Sequence, residues 1–239
     1  MKIALLDRLL DRCRHNDVVA VATHLESGRQ ALWDGNVAHG DLDLDEALCA
    51  SLSELLARGE SRVVETPGGA VFAEIWSPPA HLVIVGAAHI AQVLTTMAVL
   101  SGYRVSIVDP RSSFASRERF VQAEVINTWP DEALAALKVN SRTAVVALSH
   151  DPKIDDPALR FAVRSPAFYV GALGSRRTHA KRVERLAAAG FGAREIARIH
   201  APVGLDIGAL TQGEIAVSIL AQMTATLRAA RIKRPADEA

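Results

Sequence analysis

Only two cysteines, Cys13 and Cys49, occur in the 239 residues. So far apart, they form neither a disulfide framework nor a CxxC metal knuckle, and they read as reduced thiols of a cytoplasmic protein. An excess of either charge is also missing. The 27 basic and 27 acidic residues cancel, so no basic field exists to gather nucleic acid or an anionic membrane surface. Long apolar runs are absent as well: none approaches the roughly 20 residues that span a bilayer. The N-terminal MKIALLDRLLDRCR is charged at helical spacing, unlike a signal peptide. The two tyrosines, Tyr103 and Tyr169, have no lysine four residues on, so a Tyr-x-x-x-Lys proton-transfer pair is lacking. His15, His24, His39, His81, His179 and His200 show no metal-ligand spacing.

What is present is ample apolar material, 49% of the chain, enough for a sizeable core. Residues 3–14 place Leu5, Leu6, Leu9 and Leu10 on one helical stripe. Residues 17–25 and 29–39 read as strands, the second running into an Asp-Gly turn, and 41–59 read as a helix closed by Gly59. Residues 61–76 read as two strands joined by Pro67-Gly68-Gly69. Residues 1–76 are thus expected to form a small α+β domain with antiparallel strands. SPPAH (77–81) holds the only proline pair and reads as a linker.

From Leu82 the pattern changes to alternating apolar strands and helices, with strands at 82–86, 103–109, 123–127, 143–149 and 167–173. A last long helix is expected from about Thr211 to about Arg231. This predicts an α/β fold for 82–239: a Rossmann-like parallel sheet with helices on both faces, and with ligands beyond the carboxyl ends of the strands.

Those ends carry the candidate residues. LVIVGAAHIA (82–91) has the outline of a dinucleotide-binding turn, Gly-x-Gly-x-x-Gly between strand and helix. Gly86 makes the tight turn and Ala91 is an accepted third residue. Ala88 replaces the glycine that lets backbone approach a pyrophosphate, and His89 lies inside the turn. The helix start still offers N–H groups and a positive dipole end to an anion. Asp109, in VDPR, lies near the spacing at which a carboxylate meets a ribose hydroxyl, and Arg111 is placed to meet a phosphate. At the fourth strand end, Asp151 could orient His150 as base or ligand, while Asp155 or Asp156 is the expected helix cap. At the fifth, Gly171 and Gly174 free the backbone, Ser175 is placed to cap a helix, and Arg176 and Arg177 follow: an anion site. Gly204, Asp206 and Gly208 lie in an apolar loop before the last helix, where Glu214 complements the helix dipole.

Taken together and in this order, VGAAHIA, VDPR, SHD, YVGALGSRRT and APVGLDIGALTQGEIAVSILA resemble the C-terminal Rossmann domain of the XdhC/CoxI family. The resemblance implies a maturation factor for a molybdenum hydroxylase of the xanthine dehydrogenase or carbon monoxide dehydrogenase type. Such a factor binds the molybdenum cofactor (molybdopterin or its dinucleotide form), supports its sulfuration and delivers it. The implied partners are the hydroxylase apoenzyme and a cysteine desulfurase. The chain departs from the family pattern at Ala88, where a glycine is usual. It also lacks the Gly-Ser-Ser-Pro-Arg and Gly-Gly-Cys segments usual in the family's N-terminal domain, so neither Cys13 nor Cys49 is equated with the family cysteine.

No nucleophile–base pair is legible, so the reading is a non-catalytic cofactor chaperone. Two alternatives stand beside it. One is a ligand-free Rossmann scaffold in the same pathway. The other is an NAD(P)-dependent oxidoreductase, favoured by Gly86 and Asp109 and opposed by Ala88. The apolar last helix is expected either to pack on the N-terminal domain or to form a homodimer seam.

Overall fold

The computed structural model describes residues 2–15 and 17–229. The expected helix end at Arg231 and the KRPADEA tail lie outside them. The chain divides into two compact units, residues up to Pro79 and residues Ala80–Ala229.

In the first unit, α1 (Ile3–Arg14), β1 (Val19–His24), β2 (Gln30–Trp33), β3 (Ala38–Gly40), α2 (Glu46–Arg58), β4 (Arg62–Thr66) and β5 (Gly69–Trp76) follow one another. The five strands form an antiparallel sheet in the order β3-β2-β1-β5-β4. Because strand side chains alternate, β1 serves both faces. Ala20 and Ala22 meet Leu48, Leu52 and Leu55 of α2, whereas Val19 and Val21 meet Leu5 and Leu9 of α1. The stripe on α1 is narrower than expected: Leu5 and Leu9 are buried, but Leu6 and Leu10 are exposed. Asp45 caps α2 by accepting the Leu48 N–H, and Gly59 ends it in the left-handed conformation that glycine adopts without strain.

The second unit contains β6 (His81–Val85), α3 (His89–Leu100), β7 (Arg104–Val108), β8 (Glu124–Ile126), α4 (Pro130–Ala136), β9 (Thr143–Ala147), α5 (Pro152–Ala162), β10 (Tyr169–Ala172), α6 (Arg176–Ala188), α7 (Ala193–Ile196), β11 (Ile199–His200) and α8 (Gln212–Leu227). Ala80 and His81, expected in the linker, belong to this unit: Ala80 is buried in its core and His81 opens β6. The six strands are parallel, in the order β11-β10-β9-β6-β7-β8. The chain therefore starts in the middle, runs to one edge, then returns to fill the other. This is the doubly wound dinucleotide-fold order, with its switch point between β6 and β9.

β6 and β9 are buried at every position, as strands covered on both faces must be. Leu82, Ile84, Ile107 and Val146 face α3 and α8. Val83, Val85, Val145 and Ala147 face α4 and α5. Each fully buried Val, Leu or Ile stabilises by about 1.5–3 kcal/mol relative to exposure, and these two layers hold the sheet's carboxyl edge rigid. Part of the apolar face of α8 packs within its own unit. Ala216, Ile219 and Met223 pack in the same cluster as Ala91, Leu94 and Ala98 of α3. Among the described residues no helix is long and apolar enough to cross a membrane.

Candidate functional site

The carboxyl ends of β6, β7, β9, β10 and β11 lie along one edge, and five loops leave from it. At the β6 end, Gly86 has φ of 98°. A Cβ there would lie 2.6 Å from the Ser149 amide nitrogen, so glycine is required by backbone conformation and by the close approach of the β9 loop. Ala88 occupies the N-cap of α3 with φ −69° and ψ 169°, a conformation open to any residue. Its side chain is half-buried against the core cluster shared by α3 and α8. No side chain caps α3 and its first turn holds no acidic residue, which leaves the positive end of the helix dipole uncompensated. His89, the first helical residue, is exposed.

Asp109 is hydrogen-bonded within the chain. It is fully buried, and its carboxylate accepts four hydrogen bonds: from the Ala87 amide at 2.9 Å, the Arg111 amide at 3.0 Å, Arg111 Nε at 2.9 Å and Arg111 Nη2 at 2.8 Å. Burial alone would raise its pKa, but the hydrogen bonds from Arg111 and the two amides prevail and hold it below the usual value. Asp109 and Arg111, expected to meet a ribose and a phosphate separately, thus meet each other and fasten the β6 turn to the β7 end. Arg111 also stacks on Phe114, 4.6 Å from the ring centre. Its pKa is raised chiefly by the Asp109 hydrogen bonds and further by Asp151 and Asp155.

At the β9 end the expected cap is relocated. Asp151, not Asp155 or Asp156, is the N-cap of α5: its Oδ1 accepts the Lys153 N–H at 2.9 Å, with Pro152 in the first turn. Pro152 fixes a helical φ and has no N–H to satisfy, which favours starting the helix here. Asp155 and Asp156 are buried inside α5. Asp155 Oδ1 accepts the Ser149 hydroxyl at 2.6 Å and the Ser149 amide at 3.2 Å. Asp156 accepts both nitrogens of the Arg185 fork, at 2.6 and 2.9 Å. His150 is exposed and has φ of 61°, a left-handed conformation uncommon outside glycine. Of the Asp151 carboxylate, Oδ1 is taken by the helix cap.

At the β10 end, a Cβ on Gly171 would lie 2.7 Å from Val203 Cγ2, and Gly174 has φ of 133°. Ser175 caps α6, its Oγ accepting the Thr178 N–H at 3.2 Å. Arg176 and Arg177 are exposed in the first turn, which holds no acidic residue. At the β11 end, the Gly204 amide donates to Gln222 Oε1 at 2.9 Å, and that oxygen also accepts the Tyr169 hydroxyl at 2.6 Å. The Tyr169 ring stacks on His200 at 4.6 Å. Asp206 is exposed, as are Leu205, Ile207 and Leu210 beside it. Glu214 forms a capping box with Thr211 at the start of α8, the dipole-complementing role expected of it.

The structure also shows a residue that sequence reading passed over. Arg182, on α6, is 2% exposed. It lines a cavity of about 340 Å³ with His150, Pro152, Asp155, Arg177, Thr178, Lys181 and Arg185. One legible signal was its phase: Arg182 precedes buried Leu186 by four residues, on the same inward stripe.

Residues 82–223 match the family described as the XdhC Rossmann domain. The chain belongs to this family. Among curated proteins it is 31% identical over 146 residues to the molybdenum cofactor insertion chaperone PaoD of Escherichia coli, covering 61% of this chain and 40% of that one. It is 29% identical over 157 residues to a protein of Bacillus subtilis named as a probable xanthine dehydrogenase component, covering 65% of this chain and 46% of that one. It is 30% identical over 167 residues to the protein YqeB of Escherichia coli, covering 69% of this chain and 31% of that one. The chain thus spans less than half the length of these relatives. A crystal structure described as a xanthine dehydrogenase from Bacillus halodurans superposes with a TM-score of 0.73 at 25% identity, over 95% of this chain and 67% of that one.

Proposed function

We propose that this XdhC-family chain is an accessory protein for a molybdenum hydroxylase of the xanthine dehydrogenase type, binding the molybdenum cofactor at the carboxyl edge of the second sheet and passing it to the apoenzyme. The name of PaoD, a molybdenum cofactor insertion chaperone, supports the cofactor. The name of the Bacillus subtilis relative supports the class of client. The observation that carries the reading is the edge itself. The uncapped start of α3 and the arginine-bearing start of α6 open on it with Arg176 and Arg177 exposed, and this donor set suits the phosphate of a pterin cofactor. Gly86, Ala88, His89, His150, Gly171, Gly174, Ser175, Gly204 and Asp206 shape the cleft, while Asp109, Arg111 and Asp151 hold its walls. Support of sulfuration, with a cysteine desulfurase as second partner, belongs to the same reading.

An NAD(P)-dependent oxidoreductase fits the geometry less well, because the Asp109 carboxylate that would bind a ribose already accepts four donors. Deletion of the gene tests the proposal. Hydroxylase purified from the deletion strain is expected to carry much less molybdenum and pterin than the wild type, with loading restored by the intact gene. Fully loaded hydroxylase from the deletion strain, together with no binding in a titration of purified protein with cofactor, overturns it.

A further inference from the structure

The cavity between α5 and α6 has a composition that the fold alone does not explain. Arg182 is buried, yet its Nε and Nη1 have no hydrogen-bond partner. Its Nη2 donates to the Leu173 carbonyl at 3.0 Å. The nearest carboxylate oxygen, Asp155 Oδ2, is 3.8 Å from that same Nη2, beyond hydrogen-bond reach. A buried guanidinium with two donors unmet is costly, because both desolvation and lost hydrogen bonds count against it. Around it, Arg177, Lys181 and Arg185 line the same cavity, so four cations face the single carboxylate of Asp155. Asp156 takes up Arg185, and Ser149 occupies one oxygen of Asp155. Arg177 and Lys181 are exposed, with no carboxylate partner among the described residues. The start of α6 repeats the pattern: Arg176 and Arg177 sit where the helix dipole disfavours cations. Each of these unfavourable features is relieved by one anion.

We propose that this cavity is a binding site for a phosphoryl dianion, with Arg182 as its buried donor pair and Arg177, Lys181 and Thr178 closing over it. About 340 Å³ is at the small end of ligand pockets, the size for a phosphate with a modest organic group attached. The guanidinium fork matches phosphate geometry, and the flexible lysine adds a point charge. The chemistry is the same for free phosphate and for a phosphate monoester. Only the suggestion that the monoester is the cofactor's own depends on the function proposed above.

Full-length protein titrated with inorganic phosphate, against chloride at matched ionic strength, tests the site by calorimetry. Saturable one-to-one binding is expected. Combined replacement Arg177→Ala with Lys181→Ala, both exposed and safe for folding, should weaken it by about tenfold or more. Arg182→Met should abolish the rise in Tm that phosphate produces. The phosphate-free variant should be less stable than the wild type, because the Leu173 carbonyl and the buried Asp155 carboxylate lose the cation beside them. Should Arg182→Met fail to fold, the titration of the Arg177→Ala, Lys181→Ala double variant decides the site by itself. Adenosine monophosphate displacing phosphate identifies a monoester as the ligand, and failure to displace identifies the free ion. Absence of saturable phosphate binding, or undiminished binding by the double variant, overturns the site while leaving the maturation reading to its own test in cells.

Discussion

Acid should destabilise the second unit through one histidine at the edge opposite the cleft. His81 is 1% exposed at the start of β6. Its Nδ1 accepts from Arg104 Nη2 at 3.0 Å, so the ring proton sits on Nε2, which donates to the Ser106 hydroxyl at 2.8 Å. Ser106 in turn donates to Glu124 at 3.1 Å. The chain of donors runs one way and requires a neutral imidazole. Burial, with the nearby Arg104 charge, lowers the His81 pKa from 6.5 to about 4. The unfolded chain takes up a proton at the ordinary value and the folded chain resists it. The stability contributed by His81 is therefore complete above pH 6.5, falls as pH drops below that value, and is gone below pH 4. Linkage between the two values gives a loss of about 2 kcal/mol between pH 7 and pH 5, and about 3 kcal/mol below pH 4.

His179 and His200 are also lowered by burial and add losses of the same sign, whereas Asp155, raised by burial, acts in the opposite direction. A variant is needed to isolate His81. His81→Gln keeps a donor for Ser106 and has nothing to titrate. Native-state hydrogen exchange at the slowest amides of β6 and β9 reads the opening of this sheet and not of the other unit. The wild type is expected to lose about 2 kcal/mol more than the variant on going from pH 7 to pH 5. Equal losses in the two proteins would show that the network does not hold the imidazole neutral.

Three further outcomes follow from the cleft. Gly86→Ala combines a left-handed backbone with a Cβ 2.6 Å from the Ser149 amide; it should cost about 3 kcal/mol in urea unfolding, and a cost under about 1 kcal/mol would mean that the β9 loop yields easily. Ala88→Ser supplies the cap that α3 lacks and should stabilise by about 1 kcal/mol; no gain in the unfolding midpoint would mean that those N–H groups are already satisfied. Asp109→Asn removes the charge that holds Arg111 and should destabilise by about 1–3 kcal/mol, toward the lower end because the Arg111 side chain is 38% exposed. If the asparagine variant instead matches wild-type stability, Asp109 is free for the ligand role expected from its spacing.

Strands buried on both faces were legible because they read as unbroken apolar runs, as with LVIV and TAVVA. β3 was not: its three residues are mostly exposed and carry no alternation. α7 and β11 are too short for periodicity to register. The strand ends that carry candidate residues were legible, as at Gly86, His150 and Ser175, because topology alone places them. The pairings between them were not, because Ser149 with Asp155, Asp156 with Arg185, and Tyr169 with Gln222 are set by how helices dock on the sheet. An acidic residue at nucleotide-binding spacing says nothing of a neighbouring arginine that reaches it first.

That last point bears on where an anion can bind in this fold. In a dinucleotide site the first turn receives the pyrophosphate and the acid after the second strand receives the ribose. Here Ala88 takes up the space of the second glycine at no cost to the backbone, since its φ is −69°. Asp109 and Arg111 neutralise each other. The carboxylate on the β6–β7 side is thus paired within the chain. Across the switch point the balance is reversed: Arg176, Arg177 and Lys181 are exposed and Arg182 keeps two buried donors unmet. A ligand with one strongly charged group therefore gains most by placing that group beside α6, with the rest of it lying toward the uncapped end of α3. On the proposed reading, the fold keeps the dinucleotide-binding topology while its strongest anion attraction lies at the fifth strand of the sheet instead of the first.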